Sequence, residues 1–126
     1  MARTPTAAQV LGHVVLVAEV DGVRVLLTGD VEPSAQAALA RDLAGLRVDV
    51  LKVPHHGSRH QDLDWLTSLG ARVALVSVGE DNDYGHPAPD VLAALTGAGA
   101  RVWRTDLSGD VAVVVADGEV GVVARG

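Results

Sequence analysis

The sequence contains no cysteine, which excludes disulfide bonds, thiolate metal sites and cysteine nucleophiles. It has two tryptophans, one tyrosine and no phenylalanine, so its core must be built from branched aliphatic side chains. No apolar run approaches the roughly 20 residues that span a bilayer. The first residues also lack the basic start and apolar stretch of a signal peptide. These absences predict that the chain by itself is soluble, and they leave its compartment undetermined.

Basic charge is also scarce. The chain carries ten Lys and Arg residues against 16 Asp and Glu, for a formal net charge of −6, and it has no basic block. Such a surface disfavours tight, sequence-independent binding of nucleic acid unless a metal ion or a second domain takes part. With 126 residues, 48% of them hydrophobic, the chain is long enough for one domain with a real core.

Apolar runs separated by turn residues predict strands that alternate with helices. Helical spacing of apolar residues predicts helices at 33–46, 61–69 and 88–98. Strands are predicted at 13–19, 23–28, 48–53, 73–78, 101–104, 111–115 and 120–123. We expect residues 1–12 to be a disordered lead-in and residues 13–126 to form the folded part. This alternation predicts an α/β fold with a mixed sheet and about three helices.

Three short polar strings follow predicted strands, at residues 28–30, 54–58 and 84–87. Polar groups at the carboxyl ends of parallel strands converge on one crevice, which is where open α/β sheets bind ligands. Carboxylate and imidazole groups together are ligands for zinc and other transition metals. The sequence therefore predicts half of a metal-dependent hydrolase site at this edge of the sheet, without the other half.

Asp30 is the candidate carboxylate of this site. It follows Gly29 directly after a predicted strand, so its side chain is expected to project from the carboxyl end of the sheet. An ionised carboxylate there can bind one metal ion or bridge two. Asp is also a favoured helix-capping residue, so Asp30 can alternatively cap the helix that begins near Pro33.

His55 and His56 are the candidate imidazoles. Adjacent side chains on extended backbone point in opposite directions, so we expect one histidine to bind a metal ion and the other to face substrate. The second would act as a general acid or a phosphate contact. Ser58 offers a hydroxyl to an anionic group, or a cap for the helix at Gln61. The alternative for the histidines is a pair of surface loop residues.

His86 lies between two turn-forming residues, Gly85 and Pro87, which restrict its orientation. It can contact substrate or support a metal ligand through a hydrogen bond. The alternative is a loop histidine at the entry of the helix that follows.

Five strings in order resemble the metallo-β-lactamase-like hydrolase domain of the ComEC competence proteins. They are Leu-Leu-Thr-Gly-Asp at 26–30, Asp-Val-Leu-Lys-Val-Pro-His-His-Gly-Ser at 49–58, Val-Ser-Val-Gly at 76–79, Tyr-Gly-His-Pro at 84–87 and Arg-Thr-Asp at 104–106. The resemblance implies the second half of an αββα sandwich that holds two transition-metal ions, zinc or manganese. It implies that Asp30 bridges the metals, that His56 is a ligand, that His55 faces the scissile phosphate, and that His86 lines the substrate side.

The same resemblance implies a phosphodiester substrate, such as DNA, and a membrane channel domain in the intact protein. The family's His-x-His/Asp-x-Asp-His string does not occur here, and Asp30 with His56 provides fewer than the three or four protein ligands that zinc takes. We therefore expect the carboxyl-terminal half of a phosphodiesterase or nuclease domain, inactive without the other half. The alternatives are a non-catalytic remnant and a phosphate-binding module. Half a sandwich would expose an apolar sheet face, which predicts a homodimer.

Overall fold

The computed structural model describes residues 6–10, 13–31, 33–79 and 86–125. The strands are β1 (Thr6–Val10), β2 (His13–Val20), β3 (Val23–Leu27), β4 (Val50–Lys52), β5 (Val73–Val76), β6 (Arg101–Arg104), β7 (Asp110–Ala116) and β8 (Glu119–Arg125). The helices are α1 (Pro33–Asp42), α2 (Leu63–Ser68), α3 (Pro89–Gly97) and α4 (Thr105–Ser108), with one 3₁₀ turn at Pro54–Gly57. Across these ranges, no helix combines the length and apolar character needed to cross a membrane.

Six strands form one mixed sheet in the order β1-β2-β3-β4-β5-β6. The pairs from β1 to β3 are antiparallel, and the pairs from β3 to β6 are parallel. The parallel strands are linked through helices α1, α2 and α3, as such crossovers require. A separate antiparallel hairpin, β7 with β8, follows the sheet. The predicted α/β class with a mixed sheet is confirmed.

The two faces of the sheet carry different cores. On one face, Leu26 and Leu51 belong to the main core with side chains of α1, α2 and α3. On the other face, Val23, Val50 and Val73 are buried against valines of the hairpin. Alternate residues of a strand point to opposite faces, which is why neighbouring apolar residues enter both cores.

The hairpin covers much of the apolar face that the sequence analysis expects to be exposed. Val23, Val50 and Val73 are buried beneath it. The exposed large apolar side chains among the described residues are Val20, Leu27, Leu107, Val114 and Val123. The homodimer remains a prediction. The hairpin leaves less apolar surface for such an interface than an uncovered sheet face would offer.

The structure differs from the sequence prediction at residues 6–10, which lie within the expected disordered lead-in. They form β1 and pair with β2 from Thr6 opposite Val17 to Val10 opposite His13. The physical reason is that β2 would otherwise be the edge of the sheet, with unpaired N–H and C=O groups that accept another extended segment. Pairing across the sheet therefore overrides the weak strand pattern of this segment.

Candidate functional site

Two hydrogen bonds join the strings that follow β3 and β4. The Thr28 hydroxyl donates to the Lys52 carbonyl oxygen, and the His55 N–H donates to the Gly29 carbonyl oxygen at 3.1 Å. Both contacts lie at the carboxyl ends of parallel neighbours, where polar groups of open α/β sheets meet. They bring Asp30 and the two adjacent histidines to the same edge of the sheet.

His55, His56 and Gly57 form a left-handed turn, with φ angles of 51°, 55° and 78°. The sequence-based expectation of extended backbone at the histidines is therefore wrong. Left-handed backbone costs a non-glycine residue about 1–2 kcal/mol, and such strain concentrates at functional sites. The two rings lie 6.5 Å apart between centroids with an interplanar angle of 65°, in an edge-to-face arrangement.

A backbone carbonyl orients the His56 ring. His56 Nδ1 lies 2.7 Å from the carbonyl oxygen of Ser77, which can only accept a hydrogen bond. Nδ1 must therefore carry the proton and donate, which leaves a lone pair on Nε2 of the neutral ring. Nε2 lies 3.9 Å from Asp30 Oδ1, and the two side chains are 52% and 59% exposed.

Asp30 and His56 thus present an imidazole nitrogen and a carboxylate oxygen toward each other on an accessible surface. The hydrogen bond from Nδ1 to a backbone carbonyl is the usual support of a metal-binding histidine. In this respect the donor pair fits a divalent metal ion. Within the ranges that the structure describes, no group of three or more His, Cys, Asp or Glu residues could hold such an ion. Asp30 and His56 are therefore a pair of candidate donors, fewer than the three or four protein ligands that zinc takes.

His86 lies beside His55. Their ring centroids are 5.9 Å apart and the rings are inclined at 72°. Burial lowers the pKa of His86 below its ordinary value, and the charges of His55, His56 and His60 lower this pKa further. His86 is therefore biased toward the neutral form within a cluster of imidazoles. Tyr84 and Gly85, which precede it in the predicted string, lie outside the described residues.

The loop that carries His86 is held against the left-handed turn. The Ala88 N–H donates to the Gly57 carbonyl oxygen at 2.8 Å. A β-carbon built on Gly57 would lie 2.7 Å from Cβ of Pro87, closer than real β-carbons approach other atoms. The absence of a side chain at position 57 thus allows the contact that brings His86 beside His55.

Ser58 is 2% exposed, and its hydroxyl accepts a hydrogen bond from the His60 N–H at 3.2 Å. The hydroxyl holds the loop that follows the histidines. Helix α2 is capped by Asp62, whose carboxylate accepts from the Trp65 N–H at 3.1 Å. The predicted contact of Ser58 with substrate stays a prediction, and we assign Ser58 no role in the proposal below.

Sequence analysis missed Gln36, which is fully buried in α1. Its amide nitrogen donates to the Val31 carbonyl at 2.8 Å and to Gln61 Oε1 at 2.7 Å. Its amide oxygen accepts from the Asp62 N–H at 2.6 Å, while Gln61 donates to the Pro54 carbonyl at 2.8 Å. This network connects α1 to the start of the histidine turn. The signal in the sequence is a polar residue within the apolar stripe of α1.

Lys52 is a second residue that sequence analysis missed. It is half-buried at the end of β4, and its ammonium group donates to the Val53 carbonyl oxygen at 3.3 Å. Burial lowers the pKa of Lys52, while the Asp30 carboxylate acts in the opposite direction and raises this pKa. The site therefore contains a cation that interacts electrostatically with its carboxylate.

No family model matches the chain. The chain is 36% identical over 98 residues to ComE operon protein 3 of Bacillus subtilis (strain 168), which covers 77% of this chain and 13% of that protein. It is 38% identical over 90 residues to Recombination protein 2 of Haemophilus influenzae, which covers 71% of this chain and 11% of that protein. It is 33% identical over 90 residues to Competence protein ComA of Neisseria gonorrhoeae. This match covers 70% of this chain and 13% of that protein. The chain therefore spans only a small part of the relatives that it matches.

Proposed function

Most of the chain is homologous to one segment of the ComEC-family competence proteins, and we propose that it contributes part of a metal-dependent phosphodiesterase site to DNA uptake. The observation that carries this proposal is the arrangement of Asp30 and His56. Their donor atoms face each other at 3.9 Å, and the Ser77 carbonyl directs the lone pair of His56 toward the carboxylate.

Asp30 and His56 would hold a divalent metal ion together with ligands from another segment or another chain. When bound, the metal would supply Lewis-acid activation of water and charge stabilisation at phosphorus. Transition metals that accept carboxylate and imidazole ligands, zinc and manganese among them, fit this pair. With only these two donors among the residues that the structure describes, we expect the chain alone to be inactive in hydrolysis.

His55, His86 and Lys52 are the candidate contacts for the phosphodiester. Imidazole N–H groups and an ammonium group donate charge-assisted hydrogen bonds to phosphate oxygens, and such bonds are stronger than bonds between neutral groups. The rings of His55 and His86 adjoin each other, and Lys52 lies at the end of the strand that leads into the turn. In our proposal, His55 contacts the scissile phosphate while His86 lines the substrate side.

Metal binding by the purified chain tests this proposal. Zinc and manganese would be titrated by calorimetry into the wild-type chain and into His56→Ala and Asp30→Asn variants. His60→Ala is the matched control, because His60 lies in the same loop and is exposed. We expect both site variants to bind at least tenfold more weakly and the control to bind like wild type. Equal binding by all four proteins would contradict the proposed pair.

The alternative is a phosphate-binding module without turnover. The observation that favours it is the combination of clustered imidazoles with only two metal donors among the residues described. Binding of inorganic phosphate that persists in excess chelator, and that weakens in a Lys52→Met variant, would support this alternative. Phosphate binding that requires added metal would support the phosphodiesterase site.

A further inference from the structure

We propose that Thr105 is a positioning residue for His56 and acts through the backbone segment that follows β5. This inference rests on the proposed function in so far as it gives His56 the role of a ligand. Neither Thr105 nor the Arg-Thr-Asp string that contains it touches the histidine cluster in any contact described above. The connection runs through two consecutive residues, Ser77 and Val78.

The Thr105 hydroxyl makes both hydrogen bonds that a neighbouring strand would make to Val78. It accepts from the Val78 N–H at 2.8 Å and donates to the Val78 carbonyl oxygen at 2.9 Å. The backbone pairing of β5 with β6 ends at Val76 opposite Arg104, two residues before Val78, because the chain turns into α4 at Thr105. The Thr105 side chain therefore replaces the backbone hydrogen bonds of β6 beyond the last paired residue.

Successive residues of a parallel strand hydrogen-bond to opposite neighbours. On the side toward β4, the Leu75 carbonyl accepts from the Val53 N–H at 2.9 Å, and the Ser77 carbonyl accepts from His56 Nδ1 at 2.7 Å. On the side toward β6, Val78 is held by Thr105. The segment after β5 is thus fixed from both sides, and the Thr105 contact sets the direction of the preceding Ser77 carbonyl.

A bidentate ion pair closes the turn around Thr105. Arg104 Nε and Nη2 donate to Asp106 at 3.0 Å and 2.7 Å. The hydrogen bond from Arg104 lowers the pKa of the Asp106 carboxyl, which favours the ionised pair. The two residues that flank Thr105 therefore restrain the backbone on both sides of its hydroxyl. This gives each member of the Arg-Thr-Asp string a structural task.

Removing the Thr105 hydroxyl would release Val78 and with it the Ser77 carbonyl. His56 Nδ1 would then lose its fixed acceptor, and the neutral ring would exchange between its two tautomers. One tautomer keeps the Nε2 lone pair toward Asp30, whereas the other places a hydrogen there. A metal ion requires the first.

The test is the tautomer of His56, read from the nitrogen chemical shifts of its ring by NMR. Spectra would be recorded in alkaline solution, at a pH above which the ring shifts no longer change, so that only the neutral ring is observed. We expect the Nδ1–H tautomer in wild type and in Thr105→Ser, which keeps a hydroxyl. In Thr105→Val we expect the minor tautomer to increase at least fivefold. Thr67→Val is the matched control, because it removes a hydroxyl bonded to the Leu63 carbonyl in α2.

Either of two results would overturn the proposal. One is a wild-type His56 in the Nε2–H tautomer, a measurement that needs no variant and does not depend on whether Thr105→Val folds. The other is a folded Thr105→Val protein with the wild-type tautomer. Fast exchange of the Val78 amide in this variant, compared with Thr67→Val, would confirm that the contact had been broken.

Zinc titration of the same proteins separates this inference from the proposed function. A tautomer shift in Thr105→Val, with no zinc binding by any variant, would sustain the positioning role and contradict the metal site. Zinc binding that His56→Ala abolishes, with an unchanged tautomer in Thr105→Val, would sustain the metal site and contradict the positioning role. If both hold, Thr105→Val should bind zinc more weakly than Thr105→Ser, with a Kd that rises as the inverse of the remaining fraction of the Nδ1–H tautomer.

Discussion

Gly57 and Pro87 are packed so closely that a β-carbon on Gly57 would lie 2.7 Å from Cβ of Pro87. It would also lie 3.2 Å from Cγ1 of Val76. Since the Ala88 N–H donates to the carbonyl oxygen of Gly57, this contact has both a steric and a hydrogen-bonded component. The relative position of the two histidine-bearing loops therefore depends on a residue that lacks a side chain.

Gly57→Ala is expected to destabilise the protein by about 2–4 kcal/mol, from left-handed backbone and from overpacking. Urea unfolding followed by circular dichroism measures this change. Gly97→Ala is the control, because Gly97 ends a helix and a β-carbon added there would meet no atom within 4 Å. It should change stability by less than about 1 kcal/mol. Similar effects of the two substitutions would contradict the steric account of Gly57.

Gln36→Leu should cost about 2–3 kcal/mol, because it leaves the buried Val31 carbonyl and the Asp62 N–H without their partner. Ser34→Leu changes an exposed residue of the same helix and should stay within about 0.5 kcal/mol of wild type. Thermal unfolding compares the two. A Gln36→Leu protein as stable as wild type would mean that water or an apolar rearrangement replaces the network.

His86 should titrate below the ordinary histidine pKa of 6.5, because burial and the neighbouring imidazoles disfavour its charged form. The unfolded chain then binds a proton more readily than the folded one. Protonation of His86 therefore favours the unfolded state. The free energy of unfolding is unaffected above pH 6.5, and it decreases as the pH falls from 6.5 toward the pKa of His86 in the folded protein. NMR titration gives the pKa directly. In a His56→Asn variant the pKa of His86 should rise, because one neighbouring imidazole charge is removed. A lower pKa of His86 in this variant would exclude repulsion from His56 as a cause of the shift.

Asp106→Asn should destabilise the protein by about 1 kcal/mol at neutral pH, because it removes the carboxylate of the bidentate pair. The hydrogen bond from Arg104 lowers the pKa of Asp106, so this stabilisation is present above the unfolded value of 3.8. It is lost as the pH falls through the folded pKa. Urea midpoints of both proteins at several pH values should converge in strong acid. A constant difference would exclude the ion pair as the cause.

The order of β2 to β8 and of α1 to α3 could be predicted from the sequence, because periodicity is a local property. Strand β1 and the short helix α4 were not predicted. The meeting of residues 28–30 with residues 54–58 could be predicted as well, since both follow parallel strands. The left-handed backbone turn at His55 and His56 could not be predicted from the sequence. Its cost for non-glycine residues makes extended backbone the better local guess. Only a contact between distant parts of the chain, from the His55 N–H to the Gly29 carbonyl, shows otherwise.

The roles of Gln36 and Thr105 could not be predicted either, because their hydrogen-bond partners are also distant in the sequence. Gln36 contacts residues 25 and 26 positions away, and Thr105 contacts Val78 at a separation of 27. Nothing near either residue in the sequence marks its partner. The hairpin of β7 and β8 was predictable from Asp117-Gly118, whereas its position across the buried valines depends on the whole sheet.

Strand order in the main sheet follows chain order without exception, from β1 to β6. Each new strand therefore pairs with the one made just before it, and no strand has to insert between two that are already joined. Such a sheet can grow by one strand at a time while the chain leaves the ribosome, with short loop closures at each step. The hairpin follows β6 in the chain and covers the valines on one face of this sheet.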